Sequence, residues 1–247
     1  MSIKPSIKSV MEFMEWVNMY SGLFPYEVSA YFDMYRGQPN KKWKLEPSIV
    51  RYAKDKGLEK IYKSISNIEN ELIEQFEKYS TPYKNYRSAT LLEKLIDGQH
   101  YGLPTRLLDW TTNPLKALYF SVEDTKFDNV DGTVYGFAAT GLQGTKDVKL
   151  EDNHLEVFFP ELLNERLSAQ EGCFTSFPLP TSGFNVLPLS IKNYPESGEN
   201  LEKVIVDAKA KVRIRVELSK LGINRRTIYP GLEGVAQSVK TDLSFYE

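Results

Sequence analysis

The first half of the chain is patterned for helices. Val10, Phe13, Met14 and Val17 fall on one helical face. Ser9 and Glu12 form a capping-box pattern in front of them, so a helix is predicted from Ser9 to near Gly22. The aromatic run YFDMY, residues 31–35, reads as a short strand stopping at Gly37, and an extended segment around Pro47 follows it. Residues 58–79 carry Ile61, Ile65, Ile68, Leu72, Ile73 and Phe76 at helical spacing and predict a long helix. A second helix is predicted over 88–96, closed by Asp97-Gly98. Asn113 suits an N-cap and Pro114 a first helical position, which predicts a helix with Leu115, Leu118, Tyr119 and Val122 as its buried stripe.

The second half is patterned for strands. Asp131-Gly132 is a turn signal before TVYGFAA, and LEVFFP, VLPLSI and KVRIRVEL read as further strands. Residues 165–170 form a short helical turn inside a loop-rich stretch, 160–184. YPESGENLEK reads as an exposed loop, and 232–239 as a terminal helix. This order predicts an α+β fold, a helical N-terminal half packed on a mainly antiparallel sheet. With no repeat, low-complexity tract or linker, residues 1–247 are expected to form a single domain.

Composition narrows the function classes. The net charge of -2 gives no electrostatic footprint for nonspecific nucleic-acid binding. Two histidines and one cysteine, Cys173, cannot supply a Cys/His zinc cluster, and no metal site is predicted. A single cysteine suits a reducing compartment, and the first residues, with Glu12 and Glu15, lack the apolar run of a signal peptide. No apolar run is long enough to span a bilayer. A cytoplasmic protein without membrane contact is the expectation.

Candidate chemistry concentrates in residues 98–121, GQHYGLPTRLLDWTTNPLKALYFS. A loop before a helix presents free N–H groups to an anion, and Arg106 adds a cation. Thr105 belongs to the same loop. Asp109 is suited to orient Arg106, His100 or a ligand hydroxyl, or else to neutralise Arg106 in a buried network. Trp110 stacks on a flat ring or fills the core. His100 is a candidate general base or ribose ligand. Tyr119 has a core reading beside a ligand-contact one. Upstream, Arg36 is placed to clamp a phosphate or carboxylate, or to pair with a strand-end acid, with Gly37 permitting close approach to the backbone. Downstream, Arg166 and Gln170 lie four apart on one helical face, with the carboxylate of Glu171 beside them. Cys173 reads as a small buried residue.

Three motifs together resemble the FRG domain family. They are Tyr35-Arg36-Gly37-Gln38, the long run HYGLPTRLLDWTTNPLKALYF from His100, and the set Arg166, Gln170, Gly172 and Phe174. The closing YPGLEG from Tyr229 also suits the family, which more usually has Asp where Glu233 stands. The resemblance spans roughly residues 30–240. Such domains occur in bacterial and phage proteins, often near defence or toxin genes.

A short aromatic strand ending in Arg-Gly also resembles the opening motif of ADP-ribosyltransferases. That resemblance implies NAD⁺ as substrate, gripped by Arg36. A later strand-to-helix segment, Thr105 to Tyr119, would flank the nicotinamide, and Gln170 or Glu171 would come from a third element. Nicotinamide would leave through an oxocarbenium-like state, as in glycoside cleavage. His100, Asp109, Gln170 and Glu171 are then the candidate catalytic residues. Arg36, Gln38, Thr105, Arg106, Trp110, Tyr119 and Arg166 are the candidate ligand contacts. The chain departs from the transferase pattern in lacking a Glu-x-Glu or Gln-x-Glu at a strand end. The implied protein is a toxin or phage-defence effector, with a macromolecular target and an antitoxin or other regulatory partner left open. A non-catalytic nucleotide- or protein-binding module is the alternative, and a metal-dependent nuclease a third.

Overall fold

The computed structural model describes residues 6–20, 31–140, 143–145, 148–150, 154–161 and 165–243. Within them the architecture is α+β, as the pattern predicts. One seven-stranded sheet has the order β4-β5-β6-β2-β1-β3-β7. The strands are β1 (Met34–Gln38), β2 (Leu107–Thr111), β3 (Gly132–Ala139), β4 (Gln143–Gly144), β5 (Glu156–Phe159), β6 (Gly172–Ser176) and β7 (Gly198–Val206). Every neighbouring pair is antiparallel except β4 with β5. The helices are α1 (Val10–Met19), α2 (Ser48–Asp55), α3 (Ile65–Ser80), α4 (Leu91–His100), α5 (Pro114–Val122), α6 (Glu165–Ala169), α7 (Lys211–Lys220), α8 (Arg225–Ile228) and α9 (Leu232–Leu243).

The sheet is weakly joined at its centre. β1 pairs with β3 through five residues, and β2 with β6 through five. Between β1 and β2 the register holds only Tyr35 against Thr111. On one face, each half of the sheet carries its own helical layer. Because side chains alternate along a strand, Tyr35, Thr111, Asp109 and Leu107 share one face. On that face α1, α5 and α7 bury Phe13, Trp16, Leu118, Ile214 and Leu218 against Tyr35, Val134 and Val206. On the same face α4 and α6 bury Leu95, Ile96 and Leu167 against Leu107, Phe158 and Phe174. The other face is closed by α2 and α3 over Met34, Leu108, Trp110, Phe137 and Cys173. At ~1.5–3 kcal/mol for each fully buried large apolar side chain, these layers supply the main drive for folding. They leave a gap over the β1–β2 junction.

Several elements differ from the pattern. KVRIRVEL is helix α7, in which Lys211, Ile214 and Leu218 are buried while Val212 and Val216 stay exposed. Its apolar alternation suited a strand, but the buried positions fall at helical spacing. Lys211 spends its charge on backbone carbonyls, with Nζ 2.7 Å from Pro39 O and 2.8 Å from Phe127 O. The exposed loop predicted over 194–203 is in fact largely β7, whose pairing with β3 overrides its charged composition. VLPLSI, residues 186–191, forms no strand. The predicted helix over 58–79 divides, because Ser64 caps α3 by accepting from the Asn67 N–H and a short 3-10 turn, Leu58–Lys60, precedes it. The second helix runs on through Gly98 to His100, started by a Thr90–Glu93 capping box. The segment after Pro47, read as extended, is α2. The stretch before Asn113, read as a loop, contains β2, and the loop-rich stretch contains β6.

Gly37 is required by packing, and it also lines the gap over the β1–β2 junction. A Cβ there would lie 1.8 Å from Ala117 O, so the α5 backbone rests directly on β1. That close seat fixes the start of α5 beside the end of β1.

Candidate functional site

An open cleft of ≈ 290 Å³ lies over the β1–β2 junction. That is at the small end of the ~300–1,000 Å³ typical of ligand pockets. β1 supplies Arg36, α4 supplies Gln99 and His100, β2 supplies Asp109 and Thr111, α5 supplies Phe120 with Glu123 at its C-cap, and α6 with its following turn supplies Arg166 and Gln170. Two guanidiniums, two carboxylates, an imidazole and two carboxamides thus face one space.

Arg36 sits where the β1–β2 ladder stops. Its Nη1 donates to Asp109 O at 2.5 Å and lies 3.8 Å from Asp109 Oδ2. Its Nε is buried and has no hydrogen-bond acceptor among the described residues. Burial above all lowers the Arg36 pKa, Asp109 opposes this, and the nearby Arg51 charge adds to it. Asp109 is held from the other side by Gln99 Nε2, which donates to Oδ1 at 2.7 Å. Gln99 in turn accepts from the Thr105 hydroxyl. A chain of polar contacts therefore fixes the exposed carboxylate beside the guanidinium.

His100 lies at the C-terminal end of α4, edge-on to Tyr101. Burial lowers its pKa, the Arg166 charge lowers it further, and Asp97 acts against both. The downward shift favours the neutral imidazole, the form that accepts a proton. Burial raises the Glu123 pKa, opposed by the Tyr229 hydrogen bond and Arg225. Tyr229 Oη donates to the Glu123 carboxylate, at 2.8 and 3.0 Å from its two oxygens. Arg166 lies 4.9 Å over the Tyr229 ring, and Arg225 lies 5.0 Å from its centre. Gln170 Nε2 donates to Ile228 O at 3.3 Å. Thr111 Oγ1 donates to Gln170 O at 2.7 Å, which ties β2 to the turn before β6.

Of the sequence-predicted residues, Arg36, His100, Asp109, Trp110, Arg166 and Gln170 line the cleft. Trp110 does so from the core: it is 3% exposed and its Nε1 donates to Thr175 Oγ1 at 3.2 Å, so it offers no open stacking face. Five residues lie outside the lining. Arg106 is a buried strut, with Nε and Nη2 at 2.7 and 2.5 Å from Glu69 Oε2 and Nη1 donating to Leu150 O. Thr105 is buried and acts through Gln99. Gln38 is buried, with Nε2 3.4 Å from Lys44 O and Oε1 without a donor among the described residues. Tyr119 belongs to the α5 core beside Glu123. Glu171 takes a left-handed backbone, φ 47°, a conformation costing ~1–2 kcal/mol for an L-residue. Its carboxylate accepts from Lys116 Nζ at 2.6 Å and Asn113 Nδ2 at 3.1 Å. The Lys116 hydrogen bond above all lowers its pKa. The free N–H groups expected at the α5 start are also occupied, since Asn113 Oδ1 accepts from Leu115 and Lys116.

Sequence reasoning missed Gln99, Glu123 and Tyr229. Glu123, the C-cap of α5, follows Phe120 by three residues, and both line the cleft, so helical spacing from the aromatic motif carried that signal. Gln99 precedes His100 inside the motif itself. Tyr229 opens YPGLEG, whose partner at Glu123 lies too far off in sequence for any local pattern to reveal.

Among the described residues, no group of three or more His, Cys, Asp or Glu side chains gathers to hold a metal. No helix among them is long and apolar enough to cross a membrane. The family model of the FRG domain matches residues 33–129, a span holding Arg36, Gln99, His100, Asp109 and Glu123 but not Arg166, Gln170 or Tyr229. No curated protein and no solved structure matches the chain.

Proposed function

On the premise that this chain carries an FRG domain over residues 33–129, we propose that its cleft binds NAD⁺ and that the protein is an ADP-ribosyltransferase-like effector. One observation carries the reading. Arg36 on β1, the Asp109–Thr111 stretch on β2, and Gln170 before β6 line one cleft in the chain order that the transferase resemblance implies. The donor set suits a dinucleotide: guanidiniums for phosphate, carboxylates for a developing positive charge, and carboxamides for sugar hydroxyls or an amide.

NAD⁺ in this cleft supplies an ADP-ribosyl group: its nicotinamide–ribose C–N bond breaks, the electron pair leaves with nicotinamide, and an acceptor oxygen or nitrogen bonds to the sugar carbon. Arg36 anchors phosphate oxygens. Asp109, held by Gln99, presents a fixed negative charge to the sugar side. Glu123, held by Tyr229, presents a second. His100 takes the proton from the acceptor. Partial burial of Glu123 strengthens its effect on any charge forming nearby. In this reading the protein acts as a toxin or phage-defence effector, and its effect on cells depends on Arg36.

The purified protein, mixed with NAD⁺ and cell extract, is expected to release nicotinamide or label a target, and Arg36→Ala to abolish both along with toxicity. Absence of release and labelling from the wild type, with toxicity retained in Arg36→Ala, would sink the reading. A non-catalytic nucleotide-binding module is favoured by one feature, the engagement of Glu171 by Lys116 and Asn113 outside the cleft. Calorimetric binding of NAD⁺ without turnover would identify it.

A further inference from the structure

A second cavity of ≈ 170 Å³ lies beside the cleft, lined by Arg36, Ser48, Arg51, Gln99 and Asp109, with Leu103, Leu107 and Leu108 among its apolar walls. Arg36, Gln99 and Asp109 belong to both spaces. The cleft and this second space, the α2 cavity, therefore adjoin along Arg36, Asp109 and Gln99. The two spaces differ in charge. The cleft sets Arg36 and Arg166 against Asp109 and Glu123. The α2 cavity sets two guanidiniums against Asp109 alone.

Neither guanidinium is used up by the fold. Arg51 Nη1 donates to a backbone carbonyl, Glu46 O, at 2.6 Å. Arg36 keeps a buried Nε without an acceptor among the described residues. Arg51 is exposed, and its charge adds to the burial that disfavours the charged Arg36 guanidinium, a repulsion that a bound anion would offset. At ~30 Å³ per water, the space takes several waters or the phosphate end of a nucleotide.

We propose that the α2 cavity is a pyrophosphate subsite, in which Arg51 and Arg36 together grip the phosphates of the nucleotide whose sugar lies in the cleft. The assignment rests on the NAD⁺ reading for the identity of the nucleotide, and it adds Arg51, from an element that no motif marked. Guanidiniums bind phosphate oxygens in bidentate pairs, so two of them on one cavity select a diphosphate over a neutral sugar.

Inorganic pyrophosphate titrated calorimetrically into the full chain at low salt tests the subsite directly. The wild type is expected to bind it, and Arg51→Ala to weaken binding about tenfold, the loss expected for one charge-assisted contact. Lys54→Ala removes the same charge from the exposed end of α2, outside the cavity lining, and is expected to change binding less than about twofold. No binding by the wild type, or equal losses in Arg51→Ala and Lys54→Ala, would overturn the subsite. The two readings fail separately. Pyrophosphate binding lost in Arg51→Ala, with no nicotinamide release from the wild type, ends the transferase reading alone. Nicotinamide release with an unchanged KM for NAD⁺ in Arg51→Ala ends the subsite alone.

Discussion

Two arginine–carboxylate pairs stand close together in this molecule and do opposite work. Arg106 and Glu69 are buried, at 9% and 1% side-chain exposure, and the guanidinium finds acceptors in Glu69 and Leu150 O. Arg36 and Asp109 are 3.8 Å apart, Asp109 is 61% exposed, and Arg36 retains an unpartnered Nε. The first pair is satisfied and closed, so it holds α3 to the start of β2. The second is loose and open onto two cavities, so it has capacity left for a ligand. Satisfaction of donors, more than residue type or motif membership, separates a strut from a site.

The largest effect expected from breaking this comparison is on folding. Arg106→Ala strands the Glu69 carboxylate and should cost about 3–5 kcal/mol in urea unfolding. Arg36→Ala, where the side chain is 18% exposed but the carboxylate partner lies open to solvent and Nε has no acceptor among the described residues, should cost clearly less than Arg106→Ala. Similar losses for the two variants would erase the distinction.

The next effect is on chemistry. Arg36→Ala should lower kcat/KM for nicotinamide release by about 10²-fold or more, as loss of one preorganised charge contact does. A variant enzyme within a few-fold of wild type would make Arg36 a second strut.

The smallest effect is a pair of opposed pH dependences. Burial raises the Glu123 pKa, so ionising it costs the folded state stability as pH rises above the ordinary carboxylate value of 4.5. Glu123→Gln should gain thermal stability over wild type across that rise, and the gain should vanish at lower pH. Glu171 has its pKa lowered, chiefly by the Lys116 hydrogen bond, so its contribution is present above that value and fades as pH falls below it. Glu171→Gln should therefore lose stability at neutral pH and match wild type in acid. Thermal unfolding from about pH 2 to about pH 7 separates the two carboxylates, and parallel curves would contradict their assignment.

Much of this was legible in the residues. The α1 and α5 caps at Ser9 and Asn113 sit at their sequence signals. The density of polar groups in residues 98–121 marks one wall of the cleft. Arg106 misled because a motif records which residues occur together, whereas its partner Glu69 lies on a separate helix. β2 was hidden because it is buried on both faces except at Asp109, leaving no alternation to read. α7 was hidden because Val212 and Val216 are apolar yet exposed, which imitates a strand. Glu123 and Tyr229 meet only through the fold, as do Arg36 and Arg51.

The central claim is that the open arginine at the β1–β2 junction is a ligand contact. Calorimetric titration of NAD⁺ into wild type and Arg36→Ala, with thermal unfolding of both, tests it most directly. The account predicts binding by wild type, and loss of binding in an Arg36→Ala protein that remains folded. No binding by wild type, or equal binding by both proteins, would contradict it.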